Sequence, residues 1–141
     1  MNMEKRVARE INELQSTIPE AIIIREGDSY NISFPAPVDS VYDGITVHMI
    51  VSYPNDYPFT FMTVLVPKLR HPNVDPEFGI LRLSDIFDWN PALSISKVIL
   101  TFMSLLHEPH TLYGTCADPV ALREWKTDVH AYRQSIVEFS K

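Results

Sequence analysis

The side chain best suited to covalent chemistry in this sequence is Cys116, the only cysteine among 141 residues. A thiolate is a strong nucleophile, and a nearby imidazole can act as its base, which makes His107 and His110 its candidate partners. The same three residues could suggest a metal site, but their spacing matches no zinc pattern, so we predict no metal and no cofactor. The alternative for Cys116 is structural, because a lone cysteine is more often a small packed hydrophobe.

Composition and charge argue against several other classes of function. The net charge of −6 disfavours binding to a phosphate backbone, so we do not expect a nucleic-acid partner. Every apolar run is far shorter than the roughly 20 residues of a membrane helix, and no apolar stretch follows the first charged residues as it would in a secretion signal. A single cysteine excludes an internal disulfide, which agrees with a cytoplasmic or nuclear protein. With 45% hydrophobic residues, the chain suits one domain over residues 1–141.

An amphipathic helix is predicted at the N-terminus, where apolar residues recur at spacings of three and four. They are Met3, Val7, Ile11, Leu14 and Ile18, and the polar residues Lys5, Arg6, Arg9, Glu10 and Glu13 are assigned to the solvent side. Pro19 ends the helix. This helix would lie on the core of the domain.

Short β-strands follow at residues 21–26, 29–34, 45–52 and 63–66. The third shows the clearest alternation, in which apolar residues alternate with polar ones; the apolar residues are Ile45, Val47, Met49 and Val51, and the polar ones are Thr46, His48 and Ser52. Short turns such as Gly27-Asp28 favour an antiparallel meander. Regular structure is then hard to predict from 67 to 91, and such long irregular segments are either functional or wrapped over the core.

Helical periodicity returns in the last third of the chain. The first of these helices is strongly apolar, is ended by Pro109 and has Ser94 or Ser96 available as its cap; its apolar positions are Ile95, Val98, Ile99, Phe102, Leu105 and Leu106. After a loop at 110–117, Asp118-Pro119 signals another helical start, and a last apolar face is formed by Trp125, Val129, Tyr132, Ile136 and Val137. The order of elements predicts an α+β domain with helices around an antiparallel sheet.

Several motifs occur in an order that resembles the ubiquitin-conjugating enzymes. They are Tyr57-Pro58-Phe59, His71-Pro72-Asn73, Gly79 and the block WNPALSISKV from Trp89 to Val98, beside the family's W-S-P-A-L-T-I-S-K-V. Tyr42-Asp43-Gly44, Leu105-Leu106-His107-Glu108-Pro109 and Lys126-Thr127-Asp128 are similar to further family motifs, so the resemblance covers nearly the whole chain. It implies the ubiquitin-conjugating-enzyme fold, which has an N-terminal helix, a four-stranded antiparallel meander, a central helix and C-terminal helices.

The sequence departs from this family at the catalytic cysteine. Counting three residues on from Gly79 places Arg82 there, whereas counting eight on from Asn73 places Leu81 there. The apolar pattern favours Arg82, because Leu81 and Leu83 then flank it as buried neighbours. Neither side chain has a thiol, so we expect no thioester chemistry at this position and no enzyme activity from it.

The remaining residues of this degenerate site are His71 and Asn73. In the family that the chain resembles, the asparagine assists aminolysis and also hydrogen-bonds to neighbouring backbone. With no thiol at Arg82 or Leu81, we expect Asn73 to be structural, because buried polar groups are normally paired within the fold.

The resemblance also implies a surface for protein partners. Phe59, Pro91 and Ala92 match family positions that contact ubiquitin ligases, and we expect them to form one apolar patch. Positively charged residues of the first helix would surround this patch; they are Lys5, Arg6 and Arg9. The alternative is that the apolar residues only shape two adjacent loops. The family's double proline after its YPF motif is replaced by Phe61-Met62.

Four functions compete for this sequence. The leading hypothesis is a non-catalytic variant that binds a ubiquitin ligase, ubiquitin or an active conjugating enzyme. The second is a scaffold subunit similar to the fused-toes-type domains of Hook adaptor complexes, which share a His-Pro-x-Val-Asp-Pro run, seen here as His71-Pro72-Asn73-Val74-Asp75-Pro76. The third is an active conjugator that uses Cys116, whose loop resembles the segment beside the family's active-site groove. Peptide capture is weaker, because variants of that kind usually lack the C-terminal helices.

Overall fold

The N-terminal helix, α1, spans Met3–Thr17 and packs against the central helix of the domain. The structure is a computed structural model that describes residues 3–109 and 116–141. Val7 and Leu14 of α1 are buried, as the apolar periodicity predicts. The assignment of Glu10 to the solvent side is wrong: it is buried, because it lies on the same helical face as Val7 and Leu14 and has hydrogen-bond partners there.

Four strands follow, at Ile22–Glu26 (β1), Ser29–Pro35 (β2), Thr46–Ser52 (β3) and Thr63–Leu65 (β4). Each pairs antiparallel with the next in the order β1-β2-β3-β4, so the predicted meander is confirmed. The alternation of β2 and β3 directs one face into the core, with Ile32 opposite Met49 and Phe34 opposite Val47.

The outer face of the sheet is open at β1, which forms an edge of the sheet in the described part of the chain. Ile22 and Ile24 point to this outer face and are 62% and 55% exposed. Ile22 lies opposite Ser33, and Ile24 lies opposite Asn31. The edge of the sheet therefore shows two large aliphatic side chains to solvent.

The segment between β4 and the central helix is irregular but is held by backbone hydrogen bonds. Val66 N donates to Gly79 O (2.7 Å), and Leu81 N donates to Val64 O (2.9 Å). Gly79 has a φ of 73°, a left-handed conformation that glycine adopts without strain. A single 3₁₀ turn at Leu83–Asp85 follows. The segment is therefore wrapped over the core, close to β4.

Three helices complete the fold, at Ile95–His107 (α2), Pro119–Thr127 (α3) and Val129–Phe139 (α4). Ser94 is the N-cap of α2, but the predicted side-chain cap is not made. The last apolar face divides between α3 and α4 at Asp128, whose carboxylate accepts from Ala131 N at 3.1 Å and so starts a new helix. Residues 110–115 of the loop predicted before α3 lie outside the described residues.

The C-terminal helices are attached to the body through a cluster of aromatic rings. Tyr42 Oη donates to Arg70 O at 2.6 Å and lies 2.6 Å from Tyr132 Oη. The Trp125 ring stacks on Tyr132 with 5.1 Å between centroids, and Arg70 Nη1 contacts Glu124 Oε1 at 2.7 Å. The buried side chains of the sheet and of the four helices in the described part of the chain join one hydrophobic cluster. The predicted α+β fold is confirmed.

Candidate functional site

The position at which the motif spacing predicts a catalytic cysteine lies on the segment after Gly79. Leu81 and Leu83 are 2% and 3% exposed, whereas Arg82 between them is exposed. The backbone fixes this alternation, because Leu81 N bonds to Val64 O and Arg82 N bonds to Asn73 O at 3.2 Å. The side chain that faces solvent at this point is therefore the guanidinium of Arg82, and Leu81 belongs to the core.

His71, two residues before Asn73, is fully buried. Its Nε2 donates to Leu105 O at 2.8 Å, and its Nδ1 accepts from Asn73 N at 3.0 Å. Burial lowers the pKa of His71 to about 4, so the ring is neutral at physiological pH. With both ring nitrogens engaged, His71 holds the segment from 71 to 73 against α2 and has no nitrogen available to act as a base. Asn73 is also buried, and its backbone N–H is the donor to Nδ1 of His71.

Cys116 is half-buried at the start of the second described part of the chain. Asp118 N donates to Pro72 O at 2.9 Å, which brings the segment from 116 to 118 to the His71–Asn73 segment. His107 lies 3.5 Å from Asp39 (Nδ1 to Oδ1). His110, the other candidate base, is outside the described residues. Across residues 3–109 and 116–141, no group of three or more metal-binding side chains is close enough to hold an ion.

Two loops present the apolar residues predicted to bind partners. Phe59 is 80% exposed, and Pro91 and Ala92 are also exposed. Phe61, which was not among the predicted residues, is 39% exposed on the same loop as Phe59. We call these four residues the two-loop surface. Trp89 links the loops, because its Nε1 donates to Pro58 O at 3.0 Å and its ring packs against Phe61 with 5.8 Å between centroids.

The charged residues of α1 divide into two groups. Lys5 and Arg9 are exposed on the solvent side of the helix. Arg6 has a side chain only 14% exposed, and it forms an ion pair with Glu10 at 3.0 Å. Its Nη2 also donates to Pro91 O and to Leu93 O, at 3.1 Å for the latter. Arg6 therefore lies under the second loop and links it to α1.

Glu10 is the residue of this region that the sequence analysis missed. Its carboxylate accepts three hydrogen bonds, from Arg6 Nε (3.0 Å), Tyr57 Oη (2.6 Å) and Ile95 N (3.0 Å). Burial, together with this carboxylate, raises the pKa of Tyr57, which therefore stays a donor. A signal was present in the sequence, since Glu10 stands three residues after Val7 and four before Leu14 on the apolar face.

Comparison with known proteins identifies the class to which this fold and these loops belong. The profile of the family described as ubiquitin-conjugating enzyme matches residues 6–140. The chain belongs to the ubiquitin-conjugating enzyme family, as its motifs predicted. Among known proteins it is similar to "Ubiquitin-conjugating enzyme E2 13" of Schizosaccharomyces pombe, with 32% identity over 116 residues that make up 78% of each chain.

Family membership places the chain among ubiquitin-pathway proteins with a conjugating-enzyme-like domain, whose partners are other proteins. In the described ranges, no helix has both the length and the apolar character needed to cross a bilayer.

Proposed function

We propose that this chain is a non-catalytic member of its family that regulates a ubiquitin pathway by binding a ligase, ubiquitin or an active conjugating enzyme. The observation that carries the proposal is the exposed Arg82 between the buried Leu81 and Leu83, at the position that the motifs pair with the catalytic cysteine. A guanidinium stays protonated at any physiological pH and has no nucleophilic electron pair to offer. No atom at this position can form a thioester.

The exposed two-loop surface supports the binding part of the proposal. Phe59 shows most of its ring to solvent, and Lys5 and Arg9 carry positive charge on the neighbouring helix of a chain whose net charge is −6. An apolar centre with a charged border is a common layout for protein interfaces. The reducing compartments suited to a chain with one cysteine, the cytoplasm and the nucleus, are where we propose that it acts.

A charging reaction tests the non-catalytic assignment. The protein is incubated with activating enzyme, ATP and ubiquitin and run on a non-reducing gel, with an active family member as the positive control. We expect no reducible ubiquitin adduct. An adduct that persists in Arg82→Ala but vanishes in Cys116→Ala would overturn the proposal.

That outcome would favour an active conjugator that uses Cys116. The contact between Asp118 N and Pro72 O gives this alternative its structural basis, because it brings the segment that carries Cys116 to the degenerate site. Against it, His107, one of the two candidate bases for Cys116, lies beside Asp39, with 3.5 Å between Nδ1 and Oδ1. The Cys116→Ala lane of the gel therefore decides between the two functions.

A scaffold role without ubiquitin is the second candidate, because the run from His71 to Pro76 is shared with fused-toes-type domains. Here Asp75 Oδ1 accepts from Glu77 N (2.8 Å) and Phe78 N (3.3 Å), so Asp75 shapes the turn that leads to Gly79. The run is therefore needed for local structure in this chain, whichever function applies. A pull-down analysed by mass spectrometry separates the candidates, since it recovers ubiquitin-pathway proteins in one case and adaptor subunits in the other.

A further inference from the structure

We propose that Glu10 is the positioning residue of the two-loop surface: through Tyr57 and Arg6, its buried carboxylate holds both loops in the arrangement that binds a partner. This inference rests on the proposed function only for the identity of the partner. The arrangement of the loops can be measured without one.

The carboxylate of Glu10 joins three parts of the chain at one point. Oε2 accepts from Arg6 Nε on its own helix and from Tyr57 Oη, two residues before Phe59. Oε1 accepts from Ile95 N at the first turn of α2, 85 residues away in sequence. One side chain therefore connects α1, the first loop and the start of the helix that follows the second loop.

A carboxylate buried to this extent is held by its partners. Its desolvation is unfavourable unless hydrogen bonds and an opposite charge compensate for it, and here Arg6, Tyr57 and the Ile95 amide do so. The N-terminus of a helix also stabilises a negative charge. The Ile95 amide is one of the first-turn N–H groups of α2 that have no intrahelical acceptor, and Glu10 supplies one.

The same network reaches the backbone of both loops. Arg6 donates to Pro91 O and Leu93 O, on either side of Ala92, and its guanidinium lies 5.3 Å from the centre of the Tyr57 ring. Trp89 connects the second loop to the first, because its Nε1 donates to Pro58 O. Neither loop can move away from α1 without breaking a bond to Arg6, Tyr57 or Trp89. Loops fixed before binding lose less conformational entropy when a partner arrives.

Tyr57→Phe is the sharpest test, because it removes one hydroxyl and leaves the ring in place. The first measurement is amide hydrogen exchange at Phe59 and Ala92, whose amides bond to Asp56 O and Asn90 Oδ1, both at 2.8 Å. We expect exchange to become about tenfold faster in both loops and to stay unchanged in β2 and β3, in keeping with the loss of one hydrogen bond to a charged group. Glu10→Gln should also make exchange faster in both loops, measured under conditions where this variant is folded.

The second measurement is affinity for a purified ubiquitin-ligase domain that the unmodified protein binds. Tyr57→Phe should weaken this binding about five- to tenfold under conditions where the protein is fully folded. Tyr132→Phe is the matched control, since it also removes a buried hydroxyl, from the aromatic cluster of the C-terminal helices. It should lower the unfolding midpoint while leaving loop exchange and affinity unchanged.

The proposal is overturned if Tyr57→Phe changes loop exchange no more than Tyr132→Phe does, or if exchange rises equally throughout the sheet. The exchange measurement needs no partner, so its result stands even if no ligase domain binds. Absence of binding by the unmodified protein would count against the proposed function, whereas unchanged exchange in Tyr57→Phe would count against the role of Glu10.

Discussion

At the scale of single residues, Phe59 is the side chain most directly tied to partner binding. It is 80% exposed, and its loop is held by the bond between Trp89 Nε1 and Pro58 O. Large aromatic side chains at the centre of an interface often contribute most of the binding energy. The exposure of Phe59 is therefore a feature that a stability argument alone does not explain.

Phe59→Ala should weaken binding to the recovered partner by about 2 kcal/mol or more, because the buried aromatic contact is lost from the interface. Stability should change little, since the ring contributes little to the core. Isothermal titration calorimetry and thermal unfolding measure the two effects. Phe139→Ala on α4, also a change at an exposed phenylalanine, is the control and should leave affinity unaltered. Equal affinity for both variants would mean that partners use another face.

His71 makes stability depend on pH in a predictable direction. Its pKa is about 4 in the folded chain, below the ordinary value of 6.5, so the unfolded chain binds a proton more readily. Well above pH 6.5 the ring is neutral in both the folded and the unfolded chain and costs no stability. The free energy of unfolding falls as the pH drops from 6.5 towards 4. Between pH 7 and pH 5 we expect this residue to cost about 2 kcal/mol of the free energy of unfolding.

Urea unfolding at the two pH values, with and without His71→Gln, measures this contribution. The substitution should lower stability at pH 7, because it disturbs the bonds to Leu105 O and Asn73 N. It should also flatten the pH dependence, because the titrating group is gone. Parallel pH profiles for the two proteins would show that other groups are responsible.

At the scale of secondary structure, apolar periodicity was enough to predict an element and its approximate bounds where one face of that element is buried. The alternation in β3 and the three-four spacing in α1 and α2 gave these elements nearly their observed bounds. Periodicity did not locate the boundary between α3 and α4, because apolar residues continue on both sides of Asp128. Asp128 leaves the helical conformation, with φ −150° and ψ 84°, and caps the next helix. In the sequence, the boundary between α3 and α4 is marked by a single capping residue, Asp128, within a continuous apolar pattern.

Asp128→Ala should therefore destabilise the protein by about 1 kcal/mol, because Ala131 N loses its acceptor at the start of α4. Asp128→Asn keeps an oxygen at the same place and should be close to neutral. Chemical denaturation of both variants, compared with the unmodified chain, measures the difference. If alanine and asparagine behave alike, then the cap does not stabilise α4.

At the scale of the whole molecule, the sequence was enough to predict the fold. It was not enough to predict the side-chain contacts that hold the surface loops. The motifs from Tyr57 to Val98 specified the family, and their order specified the loops that carry Phe59, Pro91 and Ala92. The sequence did not show that Arg6 and Glu10 lie beneath these loops, because their bonds to Pro91 and Ile95 span 85 residues. Such pairings depend on how α1 is placed on α2, which local patterns do not encode.

Arg82→Cys tests whether the whole groove, rather than one atom, has been lost. We expect at most weak discharge of ubiquitin to free lysine, measured beside an active family member. A new thiol would stand on the same segment, but the loop that begins with Phe61-Met62 differs from the family's double proline, and displacements of about 1 Å can cost about a hundredfold in rate. Efficient discharge by this single variant would show that the groove is intact.

The open edge of the sheet at β1 also has a consequence for how the protein behaves in solution. Ile22 and Ile24 are exposed aliphatic side chains on a strand that forms an edge of the sheet in residues 3–109 and 116–141, and an exposed apolar edge strand favours intermolecular pairing. The net charge of −6 keeps molecules apart at low ionic strength. At about 0.15 M salt, this repulsion is screened beyond roughly 8 Å. Concentrated preparations should therefore be clearest at low salt and should turn turbid as salt is added.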